Sequence, residues 1–423
     1  MDIVIVGGGL AGLSTAYGLA REGLEVIVIE RGDHPGSKNM TGGRLYLEPL
    51  KRFYPELWEE APFERWVTKE RITLISGQKA VTLEYSNPEL LGHSATVLRS
   101  HLDKWLSEKV QEAGAFVIPQ KKAVDLIWDG DRVVGVNVEG EELPSKVVVI
   151  ADGVLSFIGQ KAGLRTPLTP EKLALGYKEV IRIGEEEVQR RFNLEENQGL
   201  AHLFFGSLTK GHFGGAFLYT NRDTLSLGIV IGLAGAANSK DMNAPELIEE
   251  FKARSEIAPL IEGGEILEYS AHLIPEGALD CVKGLYGNGV LLVGDAAGFT
   301  INHGFTVRGM DLALLSGLAA SKAVLYAFKR SDFSKNTLSF YIECLKEYGI
   351  WKEIYKFRKN SKILSSTTRL YTEYPKWVCN LVGDLFFVNA GGREKLRSIL
   401  WKHLKDVLWD LRLWKDLWKL KEL

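Results

Sequence analysis

Cysteine is scarce. The 423 residues hold three, Cys281, Cys344 and Cys379, far apart and with no Cys-x-x-Cys pair. An odd, scattered set makes no disulfide framework, and a reducing compartment suits it. A cubane iron–sulfur cluster takes about four thiolates at close spacing, which this chain alone does not supply. Strong net charge is missing too: the formal value is -2, and nothing in that balance calls for a nucleic-acid partner. No basic and apolar leader stands ahead of the strand-like run Ile3–Val6, so no secretory signal is expected. No run of about 18 apolar residues is evident, which speaks against a spanning helix and leaves peripheral contact as the membrane reading. Internal repeats and low-complexity linkers are absent as well, and one closely packed body is expected.

The first thirty residues carry the clearest pattern. Ile3 to Val6 is wholly apolar, as a strand buried on both faces of a parallel sheet requires. Gly7-Gly8-Gly9-Leu10-Ala11-Gly12 follows, matching GxGxxG at Gly7, Gly9 and Gly12. Helical spacing then runs from Leu10 to Arg21, Gly23 stops it, and a second strand, Leu24 to Ile29, ends on Glu30. Gly7 permits a tight turn, Gly9 lets backbone approach a pyrophosphate, and Gly12 lets the helix pack close to the sheet. The helix N-terminus offers unpaired N–H groups to phosphate. Glu30 follows Gly12 by roughly 20 residues, the offset of a carboxylate that holds a ribose diol. The motif alone does not separate NAD from FAD.

Three further segments bear on the cofactor. Arg31 to Arg44 is a polar, glycine-rich loop, suited to running beside an extended ligand. Val147–Ile150 is a buried-strand pattern leading to Ala151-Asp152-Gly153, where Asp152 is either near the cofactor or a turn and helix cap. Gly289 to Val293 is another, ending in Gly294-Asp295-Ala296-Ala297-Gly298. A strand ending in Gly-Asp, then a glycine-bearing loop and a helix, resembles the second FAD fingerprint of glutathione-reductase-like flavoproteins. The resemblance implies that Asp295 binds the ribityl chain. It also implies that the amides near Arg308, Gly309 and Met310 face the flavin N1/C2=O edge, where a helix N-terminus suits the charge of the reduced ring.

Within that group the chain resembles the bacterial FixC-type electron-transfer-flavoprotein:quinone oxidoreductases. The stretches that carry this are GSKNMTGGRLY (Gly36–Tyr46), VLRSHLDKWL (Val97–Leu106), ADGVLS (Ala151–Ser156), FLYTNRDTLSLGIVIGL (Phe217–Leu233) and GDAAGFTINHGFTVRGMDLALLSG (Gly294–Gly317). They spread over most of residues 1–320. The resemblance implies an α/β architecture: a Rossmann-like FAD-binding domain (1–160 and 280–325), an inserted β-rich substrate or quinone domain (160–280) and a helical C-terminal region (326–423). It implies cofactor contacts at Arg31, Ser37, Lys38, Asn39, Gly42, Gly43, Arg99, Val124, Asp152, Gly153 and Gly294, besides those already named. Longer relatives carry a four-cysteine cluster domain that this chain ends without. A separate ferredoxin-like iron–sulfur subunit is therefore implied, beside electron-transfer flavoprotein alpha and beta subunits, as in FixABCX-type electron-bifurcating complexes. The acceptor implied is a quinone, menaquinone by expectation, and the setting is the cytoplasmic face of a membrane.

No catalytic residue and no metal ligand is assigned, because flavin-to-quinone transfer needs proximity more than positioned acid–base groups. His303 and Tyr219 are candidate proton donors, each also readable as structural. From Arg393 to Leu423, nine Lys or Arg face five Asp or Glu. Leu400, Leu404, Val407, Leu411, Trp414 and Trp418 fall on one helical stripe there, flanked by Trp401 and Trp409. Such a helix lies in a membrane interface, docks on a partner or packs on its own body. The apolar piece Trp377 to Val388 would deepen a membrane contact. Two other functions are weighed: a geranylgeranyl-reductase-like flavoenzyme acting on prenyl lipids, since folds are shared, and an assembly scaffold whose flavin is structural.

Overall fold

The computed structural model describes residues 1–423 except Met40, Thr41, Asn238, Lys240, Asp241 and Asn389, and omits the side chains of Asp406, Val407 and Leu408. Met40 and Thr41 of the loop stretch, and Val407 of the tail stripe, thus lie outside the described side chains.

Short all-apolar runs become strands where both faces are covered. Ile3–Val6, Val26–Ile29, Phe116–Ile118, Val147–Ile150 and Val290–Leu292 form a parallel sheet, with Tyr286–Gly287 antiparallel at one edge. Ile3–Val6 lies in its middle, Val4 facing Ile27 on one side and Val148 on the other. The helix Leu10–Ala20 packs beside Arg99–Glu112 and Met310–Arg330. Its crossing with Met310–Arg330 is close because small residues meet there. A Cβ on Gly317 would stand 2.3 Å from the Ala11 carbonyl oxygen, and Ser14 Oγ donates to the Leu314 carbonyl at 2.8 Å. An antiparallel sheet of Ala123–Asp129, Arg132–Val138 and Glu141–Pro144 completes this half.

Met310–Arg330 is long and apolar enough, by length and composition, to cross a membrane. That corrects the expectation that no such stretch exists. The share of its apolar window buried inside the protein is 78%; it is a core helix whose apolar face is taken up by Leu10–Ala20.

The second sheet has nine strands. Glu265–Pro275, Leu173–Arg182, Thr224–Gly232, Gly214–Thr220 and Gln198–Gly206 come from the expected insertion. Arg65–Ser76, Ser94–Val97 and Gly43–Tyr46 continue the order, and Lys79–Ser86 pairs with Arg65–Ser76. Four strands between 43 and 97 thus belong with the β-rich sheet rather than with the nucleotide-binding unit to which the sequence division gave them. The join is a parallel pairing of Gln198–Gly206 with Arg65–Ser76, a long-range contact that no local pattern announces.

The C-terminal region is helical, as expected, and is not a free appendage. Helix Glu373–Phe386 lies on the large sheet, with Lys79 Nζ bonded to Asn380 Oδ1 at 2.7 Å. The tail is two helices, Leu396–Leu408 and Leu411–Leu420, rather than one continuous stripe. Asp410 breaks it, its carboxylate accepting the Arg412 N–H at 2.8 Å as an N-cap. The second tail helix is fastened by polar groups: Asp416 is buried and accepts from Arg369 and from the Tyr374 hydroxyl. The aromatic side chains face outward instead. Trp401, Trp409, Trp414 and Trp418 are all more than half exposed.

Candidate functional site

Between the two sheets runs an elongated cavity of about 930 Å³, within the size range of small-molecule and cofactor sites. Its first corner is the turn after Ile3–Val6. Gly7 has φ +108, and a Cβ there would stand 2.3 Å from the Ala151 carbonyl oxygen. A Cβ on Gly12 would stand 2.0 Å from the Gly7 carbonyl oxygen. Gly12 therefore does not line the cavity; its bareness lets the helix start directly over the turn. Gly9 does line it, with no atom of the chain within 4 Å of where a Cβ would be. That space is the cavity itself. Glu30 accepts the Gly8 N–H at 2.8 Å and the Gly32 N–H at 2.6 Å. Each oxygen keeps a further lone pair for a ligand hydroxyl.

Arg31, Lys38, Asn39, Gly42, Gly43 and Arg99 line the next stretch. Arg99 is not a solvated helix residue. Its Nε and Nη2 fork onto both oxygens of the fully buried Asp103 at 2.7 Å, and Asn39 Nδ2 joins the same carboxylate at 2.8 Å. Burial works against the Arg99 charge, but Asp103 and Asp295 outweigh it and its pKa moves up. Gly36, with φ +89, lets the loop approach the Arg99 carbonyl. Ser37 lies outside the cavity; its Oγ accepts the His34 N–H. Replacing Asp103 with Ala strands the guanidinium, and we expect a loss of about 3–5 kcal/mol, read as a lowered urea midpoint. An unmoved midpoint would contradict the pairing.

The second corner closes against the first. Gly294 has φ +61, and a Cβ on it would stand 2.7 Å from Ala11 Cβ. Like Gly12, Gly294 shapes the corner without lining the cavity. Asp295, Arg308, Gly309 and Met310 do line it, as do Val124, Asp152 and Gly153. Among the described residues the Asp295 carboxyl has no hydrogen-bond partner; burial pushes its pKa up while Arg99 and Arg165 pull the other way. Asp152 both lines the cavity and caps the turn that follows it. One oxygen accepts the Ile158 N–H at 2.8 Å, while the other is buried and unpartnered; burial raises its pKa as well. The Arg308 guanidinium turns to Asp311 and Glu353, so what that segment offers the cavity is the start of helix Met310–Arg330.

Several lining residues carry no motif. Lys121, Lys122 and Lys161 stand near Val124, whose carbonyl Lys161 holds at 2.8 Å. One wall is the strand end Ala271 to Glu276, facing Thr300, Ile301 and Asn302. Behind the second corner, buried Arg165 donates to the Asp295 and Ala296 carbonyls at 3.1 and 2.9 Å. Of the two candidate proton donors, Tyr219 and His303, neither lines the cavity; His303 Nδ1 lies 3.2 Å from Asn360 Nδ2.

Bare glycine corners, a diol-ready carboxylate and an unpartnered carboxyl along one groove fit an extended dinucleotide carrying ribose and ribityl hydroxyls. If Asp295 accepts from such a hydroxyl, Asp295→Ala loses a hydrogen bond worth about 1.5–3 kcal/mol, roughly a ten- to hundredfold weaker hold on FAD. Flavin release followed by fluorescence reads this directly, and unchanged affinity would remove the assignment.

Sheet, corners and groove together define an FAD-dependent oxidoreductase. A family model described as FAD dependent oxidoreductase matches residues 2–154. The chain is 42% identical, over 96% of its length and 95% of the relative's, to a probable electron transfer flavoprotein-quinone oxidoreductase, YdiS, of Escherichia coli (strain K12). Protein FixC of the same strain matches at 42% with the same coverage. The chain belongs to this family of FixC-like electron transfer flavoprotein-quinone oxidoreductases. Among solved structures, a geranylgeranyl bacteriochlorophyll reductase-like protein from Thermoplasma acidophilum superposes with a TM-score of 0.73 at 20% identity, covering 97% of this chain and 98% of that one. A halogenase, PltM, in complex with phloroglucinol and FAD gives 0.63 at 15%, covering 90% and 79%. These two likenesses speak for the fold alone.

Proposed function

We propose that this chain is the FAD subunit of a quinone-reducing assembly, taking electrons from an electron-transfer flavoprotein pair and passing them to menaquinone. The observation that carries the reading is the 42% identity along nearly the whole chain to a relative named for that activity. The cofactor, when bound, exchanges electrons singly or in pairs. The chain's own part is to hold and shield it. The turn at Gly7 to Gly9 and the helix that follows take the pyrophosphate, Glu30 orients the ribose, Asp295 the ribityl chain, and the start of Met310–Arg330 faces the pyrimidine edge. Arg99, locked by Asp103, keeps the polar loop against the groove.

The same reading places a ferredoxin-like subunit beside this chain in an electron-bifurcating complex. It also sets the complex on the cytoplasmic face of a membrane. The basic tail with its outward tryptophans supports a peripheral contact with anionic lipid. Native affinity purification tests the assembly: co-elution of both flavoprotein subunits and an iron–sulfur protein is expected. Anaerobic mixing of the reduced protein with a menaquinone analogue tests the acceptor. Flavin that stays reduced would overturn the quinone reading, and a lone active reductase would overturn the complex.

A further inference from the structure

We infer that Glu276 is a proton donor of the cavity, its carboxyl giving a proton to a carbonyl oxygen of the bound quinone as electrons arrive. The inference rests on the quinone reading above. Turning a quinone into its quinol adds two electrons and two protons. The bound flavin would supply the electrons; each quinone oxygen must also receive a proton at the groove between the two sheets.

Glu276 is placed for this. It follows directly on the strand Glu265–Pro275, lines the cavity beside Thr300 and Asn302, and is 5% exposed. Its partners are neutral. Ser361 Oγ donates to Oε2 at 2.7 Å, and Asn302 Nδ2 donates to Oε1 at 3.2 Å. No described residue forms an ion pair with it. Lys172, whose carbonyl accepts the Glu276 N–H, gives its ammonium to Asp280 Oδ2 at 2.6 Å and to the Gly277 carbonyl. The Tyr371 phenol, on the C-terminal side, donates to the Leu364 carbonyl. His303 meets Asn360, next in chain to Ser361. Burial among neutral groups favours the protonated form and pushes this carboxyl's pKa up, while the hydrogen bonds from Ser361 and Asn302 pull it the other way.

In the transfer, the carboxyl O–H bond breaks and an O–H bond forms on the near quinone oxygen. The carboxylate left behind is received by the Ser361 hydroxyl and the Asn302 amide, then recovers a proton from water. The far oxygen takes its proton from solvent. A carboxyl kept only for packing would also tolerate these partners, so the test must see the proton.

Glu276→Gln keeps the shape and one acceptor but has no proton to give. With FAD-loaded protein, reduced anaerobically, oxidation by a water-soluble naphthoquinone is compared with oxidation by ferricenium, which takes an electron and no proton. The expected result is a quinone-to-ferricenium rate ratio about 100-fold lower in the variant. In wild type the quinone rate falls as pH rises through the Glu276 ionisation; in Glu276→Gln that limb is gone. Glu276→Asp restores part of the rate. A second reading needs no turnover: the infrared difference between wild type and Glu276→Gln shows the C=O stretch of a protonated acid near neutral pH. Equal ratios and pH profiles, or no acid band, overturn the inference and leave the quinone reading standing. Wild-type flavin oxidised by ferricenium but by no quinone overturns both.

Discussion

Gly12→Val protein is expected to purify colourless and to unfold well below the wild-type temperature, whereas Gly9→Ala is expected to be colourless and otherwise sound. The two glycines sit three residues apart and fail for different reasons. At position 12 even the first added carbon would stand 2.0 Å from the Gly7 carbonyl oxygen and 3.2 Å from an Ile5 methyl. Nothing there is the yielding end of a long side chain. The helix would have to lift off the turn, taking with it the crossing against Met310–Arg330, so the cost exceeds the ~1–3 kcal/mol typical of overpacking. At position 9 the backbone is ordinary, φ -81, and no chain atom lies within 4 Å. An alanine there meets only the ligand. Thermal unfolding without added FAD separates the cases: Gly9→Ala should match wild-type apoprotein, and Gly12→Val should not. A yellow Gly12→Val protein of normal stability would show that the close turn does not matter.

That contrast also marks what the sequence could reveal. The first corner was legible because all its parts are local: an apolar run, glycines at fixed offsets, a helical period, and an acid one strand later. Glu30 needed no tertiary knowledge. Asp295 was nearly as plain, its strand and glycine loop standing side by side in the chain. Arg99 was half legible. The VLRSHLDKWL stretch singled it out, but its partner Asp103 looks like any helix acid until Asn39 arrives from another loop. The wall Ala271 to Glu276 gave no sign of itself. Its residues alternate as in any antiparallel strand, and Glu276 becomes distinctive only when packing brings Asn302 and Ser361 to it. The strands between 43 and 97 misled for the same reason, since parallel pairing with Gln198–Gly206 is a long-range event. In the tail, a regular 4/3 spacing suggested one helix. The spacing carries on across Asp410, while the backbone does not.

The tail supports the other large effect. Changing Trp401, Trp409, Trp414 and Trp418 together to Gln should abolish binding to vesicles of anionic phospholipid while leaving fold and flavin content intact. These rings point away from the body, 63%, 85%, 53% and 69% exposed, so removing them takes little from the core. What fastens the second tail helix is Asp416, with Arg369 and the Tyr374 hydroxyl, and the first is tied by Trp377 Nε1 donating to the His403 carbonyl at 3.1 Å. None of those groups is altered. In a membrane interface each indole would shed water from a large apolar surface, and about 1–1.5 kcal/mol apiece makes about 5 kcal/mol for four, roughly a 10³–10⁴-fold fall in partitioning. The basic residues alone add a weaker, salt-sensitive attraction, so high salt should release the variant's residual binding. Wild-type binding should survive that treatment in large part. If the quadruple variant still sediments with vesicles as wild type does, the outward aromatic face serves something other than lipid. If neither protein binds vesicles but the variant alone loses its flavoprotein partners, the face is a subunit contact. Both results would separate membrane docking from assembly, because the groove proposed for FAD lies on residues the variant leaves untouched.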